Sequence, residues 1–147
     1  MKAILLAAGS GMRLGDLTRE TPKALIDING KTLLERQIIA LQKNDINDIV
    51  VVTGPNNKKF NIKNITYIQD SNYLEHDVLG TMMSAIECMN SDVIISYTDI
   101  VFDEKIIHSI KNANNDINIG VEMDWRKAYV DRTEHPMEQA ANVLLED

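Results

Sequence analysis

The chain has 147 residues, 44% of them hydrophobic and 25% charged, enough to bury the core of one domain without disulfides or metal, which excludes a disordered or collagen-like chain. Its formal net charge of -7 argues against a nucleic-acid binder, because affinity for polyphosphate backbones depends on clustered Lys and Arg. The charge is uneven: residues 1–36 hold six Lys/Arg against four Asp/Glu (+2) and the remainder nine against eighteen (-9), so the anion-attracting part lies near the start and suits a small anionic ligand.

The first element is "KAILLAA", a short continuous apolar run bounded by a glycine loop, the pattern of a strand buried on both faces. Its apolar stretch, Ala3 to Ala8, is too short for a signal peptide's central region. Gly9 to Glu20 is then a loop. A short strand ends at the Asn29-Gly30 turn, and a helix starts at Thr32, with Leu33, Leu34, Ile38 and Leu41 at helical spacing. "DIVVVTG" is a second buried strand closed by Gly54-Pro55, and "ITYIQD" a third. A loop and a helix over "GTMMSAIECMN" follow, then a fourth strand, "DVIISYTDIVF", and a helix over "EKIIHSIKNA". "INIGVEM" reads as one further strand, and the tail as a helix from about Pro136.

Strands alternating with helices give an α/β domain, one unit over residues 1–147, with a mostly parallel central sheet flanked by helices. Ligands of such sheets sit beyond the carboxyl ends of the strands. The last edge of the sheet needs covering, so the chain is expected to be the N-terminal part of a longer protein, or to pair with another chain such as a second copy of itself. The lone Cys88 and three scattered histidines match no zinc spacing and fit a reducing, cytoplasmic setting. No apolar run approaches the ~20 residues of a membrane span.

The opening loop is neither familiar phosphate loop. A dinucleotide fingerprint needs glycine where Leu14 stands, and a Walker loop ending at Lys31-Thr32 needs glycine where Leu25 stands. What remains is Ala7-Ala8-Gly9-Ser10-Gly11-Met12-Arg13 and then Thr21-Pro22-Lys23. Small residues let the backbone approach a ligand, and successive N–H groups can form an anion-binding concavity. Arg13 offers a forked donor to phosphate oxygens and Lys23 a compact charge. Spacing alone leaves a glycine turn with surface cations equally open.

"LAAGSGMRLGDLTRETPKAL" resembles the signature of the sugar-phosphate nucleotidylyltransferase superfamily, L-A-A-G-x-G-x-R-L, then T, then P-K-x-L. The resemblance implies a Rossmann-like nucleotidyltransferase fold. Leu6, Ala7, Ala8 and Gly9 would lie along the base of a nucleoside triphosphate, and Ser10, Gly11 and Arg13 would hold its phosphates. Lys23 would stabilise charge on the α-phosphate as pyrophosphate leaves. Asp99, after the fourth strand, would hold Mg²⁺, although the resembled enzymes usually have glycine where Thr98 stands. As a plain alternative Asp99 caps the following turn. Asp103 reads as the cap of the helix at Glu104.

The resemblance also sets the loop and helix start in "DSNYLEHDVLGTMMSA" against base and ribose, with Gly80 and Thr81 as contacts; Thr81 reads equally well as a cap, and His76 as a surface loop histidine. In "VEMDWRKAYVDRTEHP" the only tryptophan stands near a tyrosine and the carboxylates of Glu122, Asp124 and Asp131. Aromatic faces and carboxylates attract ammonium groups; the plain alternative is a core tryptophan beside a solvated charged run. The segment resembles one in cytidylyltransferases acting on phosphocholine or 2-aminoethylphosphonate, through Asp124, Trp125, Tyr129, Arg132, His135, Pro136 and Glu138. Arg132 would bind the acceptor's phosphate or phosphonate, or pair with a nearby acid.

The expectation is therefore transfer of a cytidylyl group from CTP, or another NTP, to a small zwitterionic phosphate or phosphonate. A sugar 1-phosphate acceptor and a non-catalytic nucleotide-binding or oligomerisation domain are the alternatives. The resembled enzymes take a second metal carboxylate from a C-terminal region beyond Asp147, so a truncated chain would be expected to lack turnover.

Overall fold

The apolar run after Met1 forms β1, Lys2–Ala7. The following loop carries a single helical turn, α1, Asp16–Arg19, where the sequence reads only as loop. A 3-10 turn over Lys23–Leu25 leads to β2, Asp27–Ile28, and β3, Lys31–Thr32. Asn29 and Gly30 join these two strands with φ of 53° and 80°, the left-handed pair that a tight two-residue hairpin requires. Thr32 starts α2, Leu33–Gln42, with a capping box: its hydroxyl accepts the Glu35 N–H while the Glu35 carboxylate accepts the Thr32 N–H. Next come β4, Ile49–Thr53; β5, Thr66–Gln69; α3, Val78–Met83; β6, Val93–Tyr97; and α4, Glu104–Lys111.

The computed structural model describes residues 1–9, 11, 14–55, 57–131, 137–140 and 143. The chain divides into two compact units, Met1–Ala113 and Asn114–Asp147. In the first, a parallel sheet has the order β5-β4-β1-β6. The chain builds outward from β1 through β4 to β5, then returns to lay β6 on the other side of β1. The order therefore reverses between β1 and β6, and open parallel sheets bind ligands at the carboxyl ends beside such a reversal.

One face of the sheet packs Ala3, Leu5, Val51 and Ile94 against Leu34, Ile38 and Leu41 of α2 and Ile107 of α4. The opposite face is covered more thinly, with Ile4, Val50 and Val52 against Ala85 after α3. On that face β6 leaves Ile95 40% and Tyr97 51% exposed.

The helix read over "GTMMSAIECMN" begins earlier, at the Asp77 cap, and breaks into α3 and a 3-10 turn at Ile86–Cys88. "INIGVEM" is not a strand. Its alternating Ile117, Ile119, Val121 and Met123 are 81%, 69%, 43% and 70% exposed; with no face to bury and no ladder to join, the alternation has nothing to hold it extended. Among the described residues β6 is thus an edge of the sheet. In the second unit the described elements are 3-10 turns at Trp125–Tyr129 and Met137–Gln139; Pro136, the expected helix start, lies outside the described residues.

Candidate functional site

The loop leaving β1 starts at the carboxyl end of the sheet. Leu6 and Ala7 end the strand, Ala8 is buried and Gly9 is exposed. Gly11 takes φ of +66°, and a Cβ there would meet the Thr18 side chain at 3.1 Å, so both backbone conformation and space require glycine. Thr18, on α1, donates its hydroxyl to the Gly11 carbonyl at 2.7 Å and closes the loop. A shallow cleft beside it is lined by Ala7, Gly9, Thr18, Pro22 and Gly54, among others.

Lys23 stands at the start of the 3-10 turn that follows Pro22. The buried Ala24 anchors this turn, and the Leu25 N–H bonds to the Pro22 carbonyl at 2.8 Å. The ammonium of Lys23 is 2.9 Å from Asp99 Oδ2, a pair whose members lie 76 residues apart in sequence. Their side chains are 36% and 44% exposed. These two groups, expected to act on one triphosphate, meet at the sheet's reversal.

The Asp99 turn is held from two sides. Thr98, in the position usually given to glycine, is buried and donates its hydroxyl to the Leu6 carbonyl at 2.8 Å, tying the end of β6 to the end of β1. Gln37, 1% exposed on α2, donates its amide to the carbonyls of Tyr97 at 2.8 Å and Ile100 at 2.6 Å, on either side of the turn. Gln37 Oε1 is buried with no partner among the described residues. Sequence reading passed over Gln37, although a glutamine within the Leu33, Leu34, Ile38, Leu41 stripe is the signal of a buried polar group that must bond to something.

A second polar cluster lies at the end of β5. Asp70 is 1% exposed. Its carboxylate accepts the Thr81 hydroxyl at 3.0 Å and the Asn72 N–H at 3.0 Å, and His76 Nδ1 lies 2.9 Å from Oδ1 and 3.1 Å from Oδ2. Burial pushes the Asp70 carboxyl up, but the bonds from His76, Thr81 and Asn72 together hold it below its ordinary value. Thr81 is therefore buried and committed to Asp70, and the Gly80 N–H is committed to the Asp77 cap at 2.9 Å. A methyl on Gly80 would come within 2.8 Å of His76 Cβ and Cγ, so glycine makes room for the imidazole. His76 is thus no free surface histidine.

Within the second unit Trp125 and Tyr129 meet edge to face, ring centroids 5.5 Å apart. The Arg126 guanidinium lies 5.5 Å from the Trp125 centroid, and Asp124 pairs with Lys127 at 2.9 Å. Trp125 is partly exposed rather than a core residue. Its ring already attracts a cation, the chain's own. Ser10, Arg13 and Arg132, also expected at the site, lie outside the described residues.

A family model for the MobA-like NTP transferase domain matches residues 3–136. The CTP:phosphoglutamine cytidylyltransferase of Campylobacter jejuni is 33% identical over 99% of this chain and 62% of its own length. A bifunctional sugar-1-phosphate nucleotidylyltransferase/acetyltransferase of Sulfurisphaera tokodaii is 36% identical over 88% of this chain and 32% of its own. Among solved structures, the CTP:phosphocholine cytidylyltransferase LicC of Streptococcus pneumoniae superposes with a TM-score of 0.64 and 30% identity, over 71% of this chain and 49% of that one. The chain thus spans less than two thirds of the length of these relatives.

Proposed function

The chain belongs to the MobA-like NTP transferase family, and on that premise we propose that the protein transfers a cytidylyl group from CTP to a small phosphate or phosphonate bearing a cationic head group. The observation that carries this reading is the Lys23–Asp99 pair at the reversal between β1 and β6. CTP as donor is supported by the Campylobacter and Streptococcus relatives, both named for it.

In the reaction an oxygen of the acceptor attacks the α-phosphorus of CTP. A new phosphoanhydride bond forms as the α–β bond breaks, and pyrophosphate leaves with that electron pair. The acceptor oxygen is anionic at neutral pH, so no strong base is needed; the barrier is repulsion between two anions, and fixed positive charge lowers it. Lys23, released from Asp99, supplies that charge at the α-phosphate. The donor set suits Mg²⁺. Asp99 is a half-exposed carboxylate at a strand end, an oxygen ligand of the kind Mg²⁺ takes together with substrate phosphates and water. Such an ion would offset negative charge on the triphosphate. Within the second unit the Trp125–Tyr129 pair beside Asp124 has the chemistry to attract an ammonium group, a role the Arg126 guanidinium now fills.

Pyrophosphate release from CTP by the full-length protein tests this reading, with phosphocholine, 2-aminoethylphosphonate and sugar 1-phosphates offered in parallel. Release is expected with the zwitterionic acceptors, and Lys23→Ala and Asp99→Ala should each lower it on the order of a hundredfold to a thousandfold. Release only with sugar 1-phosphates would establish the second reading, which the Sulfurisphaera relative favours. CTP binding without release from any acceptor would leave a nucleotide-binding domain.

A further inference from the structure

The Asp70–His76 pair is built like a device for presenting one ring nitrogen. Asp70 is ionised and offers only acceptors, so His76 Nδ1 must donate to it and carries the proton. In the neutral ring Nε2 is then an acceptor. The ring cannot easily turn away, because Gly80 is closed against one side of it and the buried carboxylate fixes Nδ1. The His76 side chain is 32% exposed, and Nε2 has no partner among the described residues.

Its place in the sheet gives the pair a ligand. Ala7 is in register with Thr53, Thr53 with Gln69, and the Asp70 N–H bonds to the Thr53 carbonyl at 2.8 Å. The strand ends thus form a row, with Asp99 after β6 at one side, the loop after β1 next, and Asp70 with His76 after β5 at the far side. Strands stand about 4.8 Å apart, so the row is roughly 14 Å long, a span that an extended nucleoside triphosphate can bridge. With phosphates at the Lys23 and Asp99 end, the nucleoside extends toward His76.

We infer that His76 reads the nucleoside, its Nε2 accepting a hydrogen bond from an N–H or O–H donor on the base or ribose, with Asp70 and Gly80 as positioning residues. This rests on the nucleotidyltransferase reading and deepens it. His76→Asn tests it, because the asparagine amide can keep the bond to Asp70 while the Nε2 acceptor is lost. Calorimetry with CTP should give a dissociation constant about fivefold to tenfold weaker in the variant, with the affinity for inorganic tripolyphosphate unchanged. A loss seen with CTP but not dCTP would assign the 2′-hydroxyl, and one seen with CTP but not UTP the exocyclic amine. In ¹⁵N spectra of the wild-type imidazole, Nε2 should shift on adding CTP and stay in place with tripolyphosphate. Wild-type CTP binding that His76→Asn leaves intact, with no Nε2 shift, would overturn the inference and leave the nucleotidyltransferase reading standing. No binding of CTP by the wild-type, full-length protein would overturn that reading itself.

Discussion

Asp70 and Asp99 each follow a parallel strand, at opposite edges of the same sheet, yet their surroundings differ completely. Asp70 is 1% exposed and bonded to an imidazole, a hydroxyl and a backbone N–H. Asp99 has a side chain 44% exposed and a lysine partner that is itself 36% exposed. A buried charge with every neighbour aimed at it is a fixed part of the fold. An exposed charge with an exposed cation as partner can exchange that partner for a ligand at little cost, as the proposed nucleotide site requires.

The sharpest way to break this contrast is to delete each carboxylate in turn. Asp70→Ala strands three donors in and around the core and should lower stability by about 2–4 kcal/mol in urea unfolding. Asp99→Ala removes a solvent-screened pair and should change stability by at most about 1 kcal/mol, although turnover collapses. Equal losses of stability from the two substitutions would mean that burial does not separate their roles.

Acid provides a milder probe of the same difference. Because the Asp70 carboxyl is held below its ordinary value in the folded protein, it contributes stability that is fully present above the carboxylate range of the unfolded chain. That contribution is lost as pH falls through the lowered folded value. Unfolding free energy measured from neutral to acidic pH should therefore decline more steeply in the wild type than in Asp70→Asn. Parallel curves for wild type and Asp70→Asn would show that the carboxylate is not the linked group.

How much of this could be read beforehand follows from the range of the interactions. The loop after β1, Lys23, Asp99 and the parallel strands are local patterns: an apolar run, small residues, a Pro-Lys step, an acid at a strand end. The Asn29-Gly30 turn and the helix start at Thr32 were legible for the same reason, whereas the short return strand Lys31–Thr32 and the capping box were not read. Asp99 was singled out through the family resemblance and Asp70 was given no role, because the groups that surround Asp70 come together only on folding. His76 was read as a surface loop histidine because what orders it, the Asp70 carboxylate beside it and the missing Cβ of Gly80, comes from folding back a loop. The strand at "INIGVEM" failed for the converse reason: its alternation is local, but a strand needs a neighbour. The meeting of Lys23 with Asp99 could be expected only through the family resemblance, and their convergence is a property of the strand order.

Gln37 provides the finest cut between the two carboxylates. Asp70 is ordered by donors to its own oxygens, whereas Asp99 is ordered through its backbone, by the Gln37 amide on the Tyr97 and Ile100 carbonyls and the Thr98 hydroxyl on Leu6. Gln37→Leu removes two hydrogen bonds but also removes the buried, unpartnered Oε1, and it extends the leucine stripe of α2. These effects oppose one another, so net stability should stay within about 1 kcal/mol of wild type. The Asp99 turn, however, is left with the Thr98 tether and less constraint on its far side. A shift of an ångström at a charge proposed to act on a triphosphate can cost up to about a hundredfold in rate, so turnover should fall while melting hardly moves. The backbone amide of Asp99 should also broaden or shift in NMR spectra recorded without nucleotide, and the amide of Asp70 should not. Unchanged turnover in Gln37→Leu would place the order of Asp99 in Thr98 alone, and Thr98→Val would then carry the loss.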